Sequence, residues 1–128
     1  MNLNTVFTIN VLVAGLFGLG FMIAPEAMLA PYGVSAENAA ASASMGRFFG
    51  AANFGYGILY WFMRSAPSSI AKTAVAKASC LGFLVGAGVS LSEQLSGTYG
   101  PLGWSTVALY AVFAAAYGHF GFGKAAEA

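Results

Sequence analysis

Arg47 and Asn53 are the residues whose chemistry stands out most, because both lie in an otherwise apolar stretch of the chain. A guanidinium keeps its charge and donates several hydrogen bonds, so it suits carboxylates, phosphates and lipid head groups. Asn53 adds an amide that can donate and accept, and Tyr56 follows it by three residues. These three residues form the candidate ligand-binding set.

Small residues recur at helical spacing around Asn53 and again further along the chain. The recurring residues are Gly46, Gly50 and Gly57 in the first series, and Ala78, Gly82 and Gly86 in the second. Spacings of three and four place each series on one helix face, where small side chains let another backbone approach closely. We expect two helix-packing faces, with Asn53 bonding across the first. Room for a ligand beside Asn53 is the alternative.

The groups that most enzymes use are few in this sequence. It contains one cysteine, Cys80, and one histidine, His119. A single chain can therefore form neither a Cys-x-x-Cys pair nor the clustered ligands of a zinc site. No nucleophile has a recognisable base partner. The sequence predicts no catalytic residue, no metal site and no cofactor.

The composition indicates what surrounds these residues. Hydrophobic residues make up 59% of the chain and charged residues 7%, whereas about a quarter of the residues in soluble domains are charged. The net charge is +1 without a basic cluster, so nucleic acid is not an expected partner. We interpret the chain as an integral membrane protein whose partner is the lipid bilayer.

Four apolar stretches are long enough to cross a bilayer at about 1.5 Å per residue. They cover residues 5–24, 43–63, 71–92 and 102–122. The first is interpreted as a membrane helix, because no Lys or Arg precedes it and residues 23–26 make a poor signal-peptide cleavage site. The predicted fold is all-α, a transmembrane four-helix bundle that forms a single domain over residues 1–128.

Local signals predict where the helices begin. Pro25, with Pro31 and Gly33, breaks the chain after the first span, and Ser35 is a typical N-cap. The second helix is expected to run over residues 36–64. Ser68 or Ser69 can cap the third.

Charged residues segregate when four spans are counted. One side receives Arg64, Lys72, Lys77 and Lys124, and the other receives Glu26, Glu37 and Glu93. The positive-inside rule makes the first side cytoplasmic, so both termini are predicted in the cytoplasm. Lys72 and Lys77 are expected to extend to the interface. An odd number of spans would break this segregation.

Arg47 then lies about one turn inside the non-cytoplasmic leaflet, where an isolated charge is costly. An ion pair with Glu26, Glu37 or Glu93, or extension to the interface, would satisfy it. The alternative is a site for an anionic head group, a carboxylate ligand or an acid of a partner.

Three segments, residues 20–26, 46–50 and 53–61, resemble the small bacterial four-helix membrane proteins of the DoxX-like type. They read Gly-Phe-Met-Ile-Ala-Pro-Glu, Gly-Arg-Phe-Phe-Gly, and a glycine-rich run that begins at Asn53 and closes on Tyr60 and Trp61. The resemblance covers most of the chain and implies a bacterial inner-membrane location, a compact bundle and an accessory or small-molecule role. Most such proteins have no known function. The redox association of some does not carry over, because no cofactor-binding residue matches.

Three functions remain open from the sequence. The leading hypothesis is a non-catalytic accessory or oligomer-forming subunit, in a homo-oligomer or a larger membrane complex. The first alternative is a binder or passage for a small hydrophobic or anionic molecule, such as a quinone or lipid, at Arg47 and the Asn53 face. The second is an oligomeric channel lined by Asn53, Ser90 and tyrosines.

Overall fold

The computed structural model describes residues 1–123, which form helices and turns without a β-strand. The helices are α1 (Leu3–Ile23), α2 (Pro25–Leu29), a 3-10 helix (Ala30–Tyr32), α3 (Ala36–Ser65), α4 (Ile70–Leu95) and α5 (Gly103–Phe122). The all-helical class is confirmed. The four long helices lie where the four spans are predicted, and their crossing of a membrane stays a prediction.

Two helices, α1 and α4, are long and apolar enough to span a membrane. In their most apolar stretches, 33% of α1 and 11% of α4 is buried. The core helix of a soluble protein would be mostly buried, which makes α4 unlike such a helix. Among the described helices, α3 and α5 fall short of the same apolar criterion. Arg47 and Asn53 lower the mean hydropathy of α3, and tyrosines and His119 lower that of α5.

The connection between α1 and α3 is itself helical, whereas the sequence predicted only that the helix breaks there. Ala24 leaves the helical region with φ −139° and ψ 62°, and Pro25 then begins α2. Proline suits a first helical position because its missing N–H has no partner there in any case. Gly33 ends the 3-10 helix with φ 80°, a left-handed conformation that glycine adopts without strain. Residues 1–123 therefore contain five α-helices where four were expected.

Serine side chains begin the two longest helices, as predicted. Ser35 Oγ accepts the backbone N–H of Asn38 at 3.3 Å. Ser69 Oγ accepts that of Lys72 at 3.2 Å, so Ser69 is the cap of α4. The observed α3 agrees with the predicted helix to within one residue at its end.

The end of α4 is closed by two reverse hydrogen bonds around Gly97. The N–H of Thr98 bonds the carbonyl of Glu93 at 3.1 Å, and the N–H of Gly97 bonds that of Gln94 at 3.2 Å. Gly97 has φ 79°, as this termination motif requires. The Thr98 hydroxyl also donates to Glu93 Oε2 at 2.8 Å. Glu93 is thus engaged in its own turn.

The chain divides into two compact units. The unit formed by Phe7–Arg64 contains most of α1, α2 and α3. Its α1 and α3 run antiparallel, because Phe7 stacks on Tyr60 with ring centroids 5.7 Å apart while Phe21 meets Phe49 at 5.1 Å. The aromatic contacts fix both ends of this pair.

The other unit combines Met1–Val6 with Ser65–Ala128. Here α4 and α5 run antiparallel around Phe83, whose ring lies 5.0 Å from that of Phe113 and 5.8 Å from that of Tyr117. Phe113 and Tyr117 are both buried. The aromatic cluster is the core of this helix pair.

Candidate functional site

Arg47 is exposed on α3. Within residues 1–123 its side chain forms no ion pair, including with Glu26 and Glu37 of its own unit. Glu93, the third acid considered, bonds Thr98 instead. The described part of the chain therefore leaves the Arg47 charge unneutralised.

Arg47 lies beside the end of α1. Its neighbour Gly46 faces Pro25, since a Cβ built on Gly46 would lie 2.9 Å from the Pro25 Cβ and 3.6 Å from the Phe21 ring. Pro25 follows directly after α1. Arg47 thus lies level with the end of the apolar run of α1, and its depth in a membrane stays a prediction.

Asn53 makes a local hydrogen bond. Its Nδ2 donates to the carbonyl of Phe49, one turn earlier in α3, at 3.0 Å. We expected a bond across the helix pair. The amide donor is instead used within its own helix, where it does not link α3 to α1.

The three candidate ligand residues do not converge on one site. Arg47 and Tyr56 are nine residues apart on one continuous helix, which is about two and a half turns and places them on opposite faces. Tyr56 is exposed and stacks on Tyr60, with ring centroids 6.3 Å apart. One small ligand could therefore not contact both Arg47 and Tyr56.

The glycines of the first series lie against α1. Gly50 and Gly57 are buried, and a Cβ on Gly50 would lie 2.6 Å from the backbone N of Met22 and 2.7 Å from the carbonyl O of Gly18. On Gly57 a Cβ would lie 3.5 Å from the N of Gly15. With Gly46 against Pro25, this series forms the close contact between α3 and the α1–α2 segment.

The second series divides between two surroundings. A Cβ on Gly86 would lie 2.8 Å from the Tyr110 ring, so Gly86 contacts α5. Gly82 has nothing within 4 Å, and Ala78 is exposed. The contact with α5 continues instead through Cys80, whose Sγ would lie 3.2 Å from a Cβ on Gly118. Gly82 and Ala78 are left on an open face of α4.

Lys72 has partners that the sequence analysis did not anticipate. It is 5% exposed, and its Nζ donates to Asn4 Oδ1 at 2.6 Å and to the carbonyl of Ala66. Its ammonium is therefore bonded by protein groups, and its position at a membrane interface stays a prediction. No sequence signal pairs Lys72 with Asn4, because 68 residues separate them.

The cation at the end of α3 is also engaged. The Arg64 guanidinium lies over the Trp61 ring, with Cζ 3.5 Å from its centroid, in cation–π contact. Its buried Nε has no hydrogen-bond partner among residues 1–123. Lys77 is exposed, with Nζ 5.4 Å from the Phe122 ring centroid. Lys124 lies outside the described residues.

Residues 1–123 contain no group of three or more His, Cys, Asp or Glu side chains that could hold a metal ion. His119 is exposed at the end of α5 and meets the Phe120 ring edge-on at 4.9 Å. Comparison with protein families, curated proteins and solved structures gives no match for this chain. The resemblance to DoxX-like proteins stays a prediction.

Proposed function

We propose that this chain is a non-catalytic membrane protein of the bacterial inner membrane that serves as an accessory or oligomer-forming subunit. In this proposal α1, α3, α4 and α5 cross the bilayer as a four-helix bundle with both termini in the cytoplasm. The DoxX-like segments support the same location.

The observation that carries the proposal is the exposure of large apolar side chains along the long helices. Leu16 is 71% exposed, Val85 68% and Val112 65%. In water each exposed apolar Å² costs about 25 cal/mol, and monomeric soluble proteins rarely expose large apolar patches. Lipid tails remove that cost. The exposed side chains on α1, α4 and α5 therefore favour a bilayer as the solvent.

The helix lengths support the crossing. The 21 residues of α1 rise about 31 Å, against a hydrocarbon core of about 30 Å. In α3 the uncharged stretch between Arg47 and Arg64 spans about 26 Å from one arginine to the other. Both helices match one bilayer thickness, and α3 does so between two charged ends.

The contacts within each unit support an even number of crossings. Phe7 of α1 lies beside Tyr60 of α3, and Asn4 of α1 bonds Lys72 of α4. A Cβ on Gly121, near the end of α5, would lie 3.1 Å from Lys77. In the unit of Phe7–Arg64 these contacts bring the first turns of α1 to the end of α3, where Arg64 lies. In the other unit they bring the beginning of α4 and the end of α5 to Lys72 and Lys77. The positive-inside rule assigns such Lys- and Arg-containing ends to the cytoplasm.

Single introduced cysteines test this topology. In a Cys80→Ala background, we expect a membrane-impermeant maleimide to label Asn38→Cys in intact cells. Ser68→Cys should react only after the cells are permeabilised, because residue 68 lies in the predicted cytoplasmic loop. Both positions are exposed, so labelling reports on sidedness. Labelling of both or neither in intact cells, or release of the protein by alkaline carbonate, would contradict the proposal.

The open small-residue face of α4 supports the accessory or oligomeric role. Gly82 and Ala78 are not used against α5, and small exposed residues of this kind permit close helix contact in membranes. Native mass spectrometry after gentle extraction measures the outcome. A defined oligomer or a retained partner subunit is expected, and a bare monomer would argue against this role.

A further inference from the structure

We infer that Arg47 holds the phosphate of an anionic phospholipid in the non-cytoplasmic leaflet. This inference rests on the proposed membrane crossing and names a ligand that the proposed function leaves unspecified. The site consists of the guanidinium, which has no acidic partner among residues 1–123, together with the exposed ring of Phe48 beside it on α3.

The height of Arg47 suits a phosphate. Gly46 lies against Pro25, where the apolar run of α1 ends, so the Arg47 backbone lies at the same level. A hydrocarbon boundary at that level lets the guanidinium extend to the head groups with its aliphatic stem in the apolar region. The depth penalty for a charge at the bilayer centre is then avoided.

In the described part of the chain the guanidinium of Arg47 has no protein contact that competes for it, whereas Arg64 and Lys72 are engaged. The guanidinium of Arg64 is stacked on Trp61, and Nζ of Lys72 bonds Asn4 and a backbone carbonyl. Within residues 1–123 Arg47 has no acidic partner. A phosphate accepts two parallel hydrogen bonds from a guanidinium and also neutralises its charge. Water at an apolar boundary can supply hydrogen bonds but does not neutralise the charge.

The side chain next to Arg47 suits the rest of a lipid. Phe48 lies about 100° from Arg47 around α3, and it is 70% exposed. Its ring can contact an acyl chain while the guanidinium binds the phosphate. Charge and apolar surface together favour a lipid over a soluble anion, which would leave Phe48 uncovered.

Native mass spectrometry of the detergent-purified protein, titrated with phosphatidylglycerol or phosphatidylcholine, tests the inference. We expect the first phosphatidylglycerol to bind about fivefold more weakly to Arg47→Gln than to wild type, which corresponds to one cation near an anionic head group. Arg47→Lys should keep most of the affinity. Lys77→Gln is the matched control, since it removes one exposed positive charge at the predicted cytoplasmic end, and it should bind as wild type does.

Several results would overturn the inference. These are equal affinity of the wild type for the two lipids, an equal loss in Lys77→Gln, and displacement of the lipid by millimolar inorganic phosphate. The wild-type comparison and Arg47→Lys keep the test decisive if Arg47→Gln does not fold. Membrane retention without a lipid preference would reject this site alone, whereas release by alkaline carbonate would reject the membrane proposal itself.

Discussion

Gly18 and Gly50 determine how closely α1 and α3 approach within their unit. A Cβ on Gly18 would lie 2.7 Å from the backbone N of Phe54, and one on Gly50 would lie 2.6 Å from that of Met22. The obstacle in both cases is backbone, which cannot rotate away as a side chain can. Close contact at this crossing therefore depends on both glycines lacking a Cβ.

Gly50→Ala should destabilise the protein by about 1–3 kcal/mol, because the added methyl group forces the two backbones apart. Unfolding by dodecyl sulfate in mixed micelles measures the loss. Gly55→Ala is the matched control on the same helix, since a Cβ there meets nothing within 4 Å. Its expected effect is neutral or slightly stabilising, by up to about 1 kcal/mol, through helix propensity. Equal effects of the two changes would show that the crossing is not tight.

At the residue scale, spacing predicted one shared packing face and missed the division of another. A repeat of three and four placed Gly50 and Gly57 on one face of α3, and that face meets α1. The same argument grouped Gly82 with Gly86, but only Gly86 contacts α5. Arg47 and Tyr56 were grouped because each is a polar residue in an apolar segment, although nine residues separate them on α3. Residue type gives no direction around the helix, and direction decides whether side chains can share a ligand.

At the element scale, Lys72 joins the start of α4 to two other segments of its unit. Its Nζ bonds the side chain of Asn4, at the beginning of α1, and the carbonyl of Ala66, in the loop before α4. Ser69 caps the same turn through the Lys72 N–H. One buried ammonium thus satisfies polar groups that would otherwise lack partners.

Lys72→Met should cost about 1.5–3 kcal/mol, because hydrogen bonds to a charged group are lost while Asn4 and the Ala66 carbonyl remain. Methionine keeps a similar length and apolar stem, so the change tests the ammonium itself. Lys77→Met, at an exposed position one turn later, is expected to cost less than about 0.5 kcal/mol. Denaturation in mixed micelles measures both variants. Similar stability of the two would mean that the Lys72 bonds contribute nothing net.

Local signals explain which elements were predictable. Ser35 and Ser69 cap helices through bonds that reach only three residues along the chain. Local sequence therefore predicted Ser35 and narrowed the second cap to Ser68 or Ser69. Pro25 was read as a break, but proline also begins helices, and α2 was therefore missed. The bond between Lys72 and Asn4 depends on tertiary contact and leaves no mark in either local sequence.

At the scale of the whole molecule, α4 presents more apolar surface than its contact with α5 uses. Cys80, Phe83 and Gly86 lie on the side that meets α5, while Leu81 and Val85 are exposed. Composition predicted this surplus of apolar surface. It could not predict whether lipid or another helix covers the surplus, because both are apolar and only close packing distinguishes them.

Substitutions on the open faces of α4 separate these two possibilities. If the face with Ala78 and Gly82 packs against a second copy or a partner subunit, Gly82→Leu should weaken the assembly at least fivefold, because the larger side chain prevents close approach. Gly88→Leu is the matched control. A Cβ on either glycine meets nothing within 4 Å, and six residues of helix place them about a third of a turn apart. Both variants should therefore fold as monomers.

Native mass spectrometry over a range of protein-to-detergent ratios measures the oligomer fraction of each variant. Loss in Gly82→Leu with retention in Gly88→Leu would identify the Ala78 and Gly82 face as the interface, since the two changes add the same volume and the same helix propensity. Equal retention would instead leave lipid as the covering of this face. Contact with a partner subunit would then have to use another surface, because an added leucine side chain would have blocked a close helix contact at Gly82.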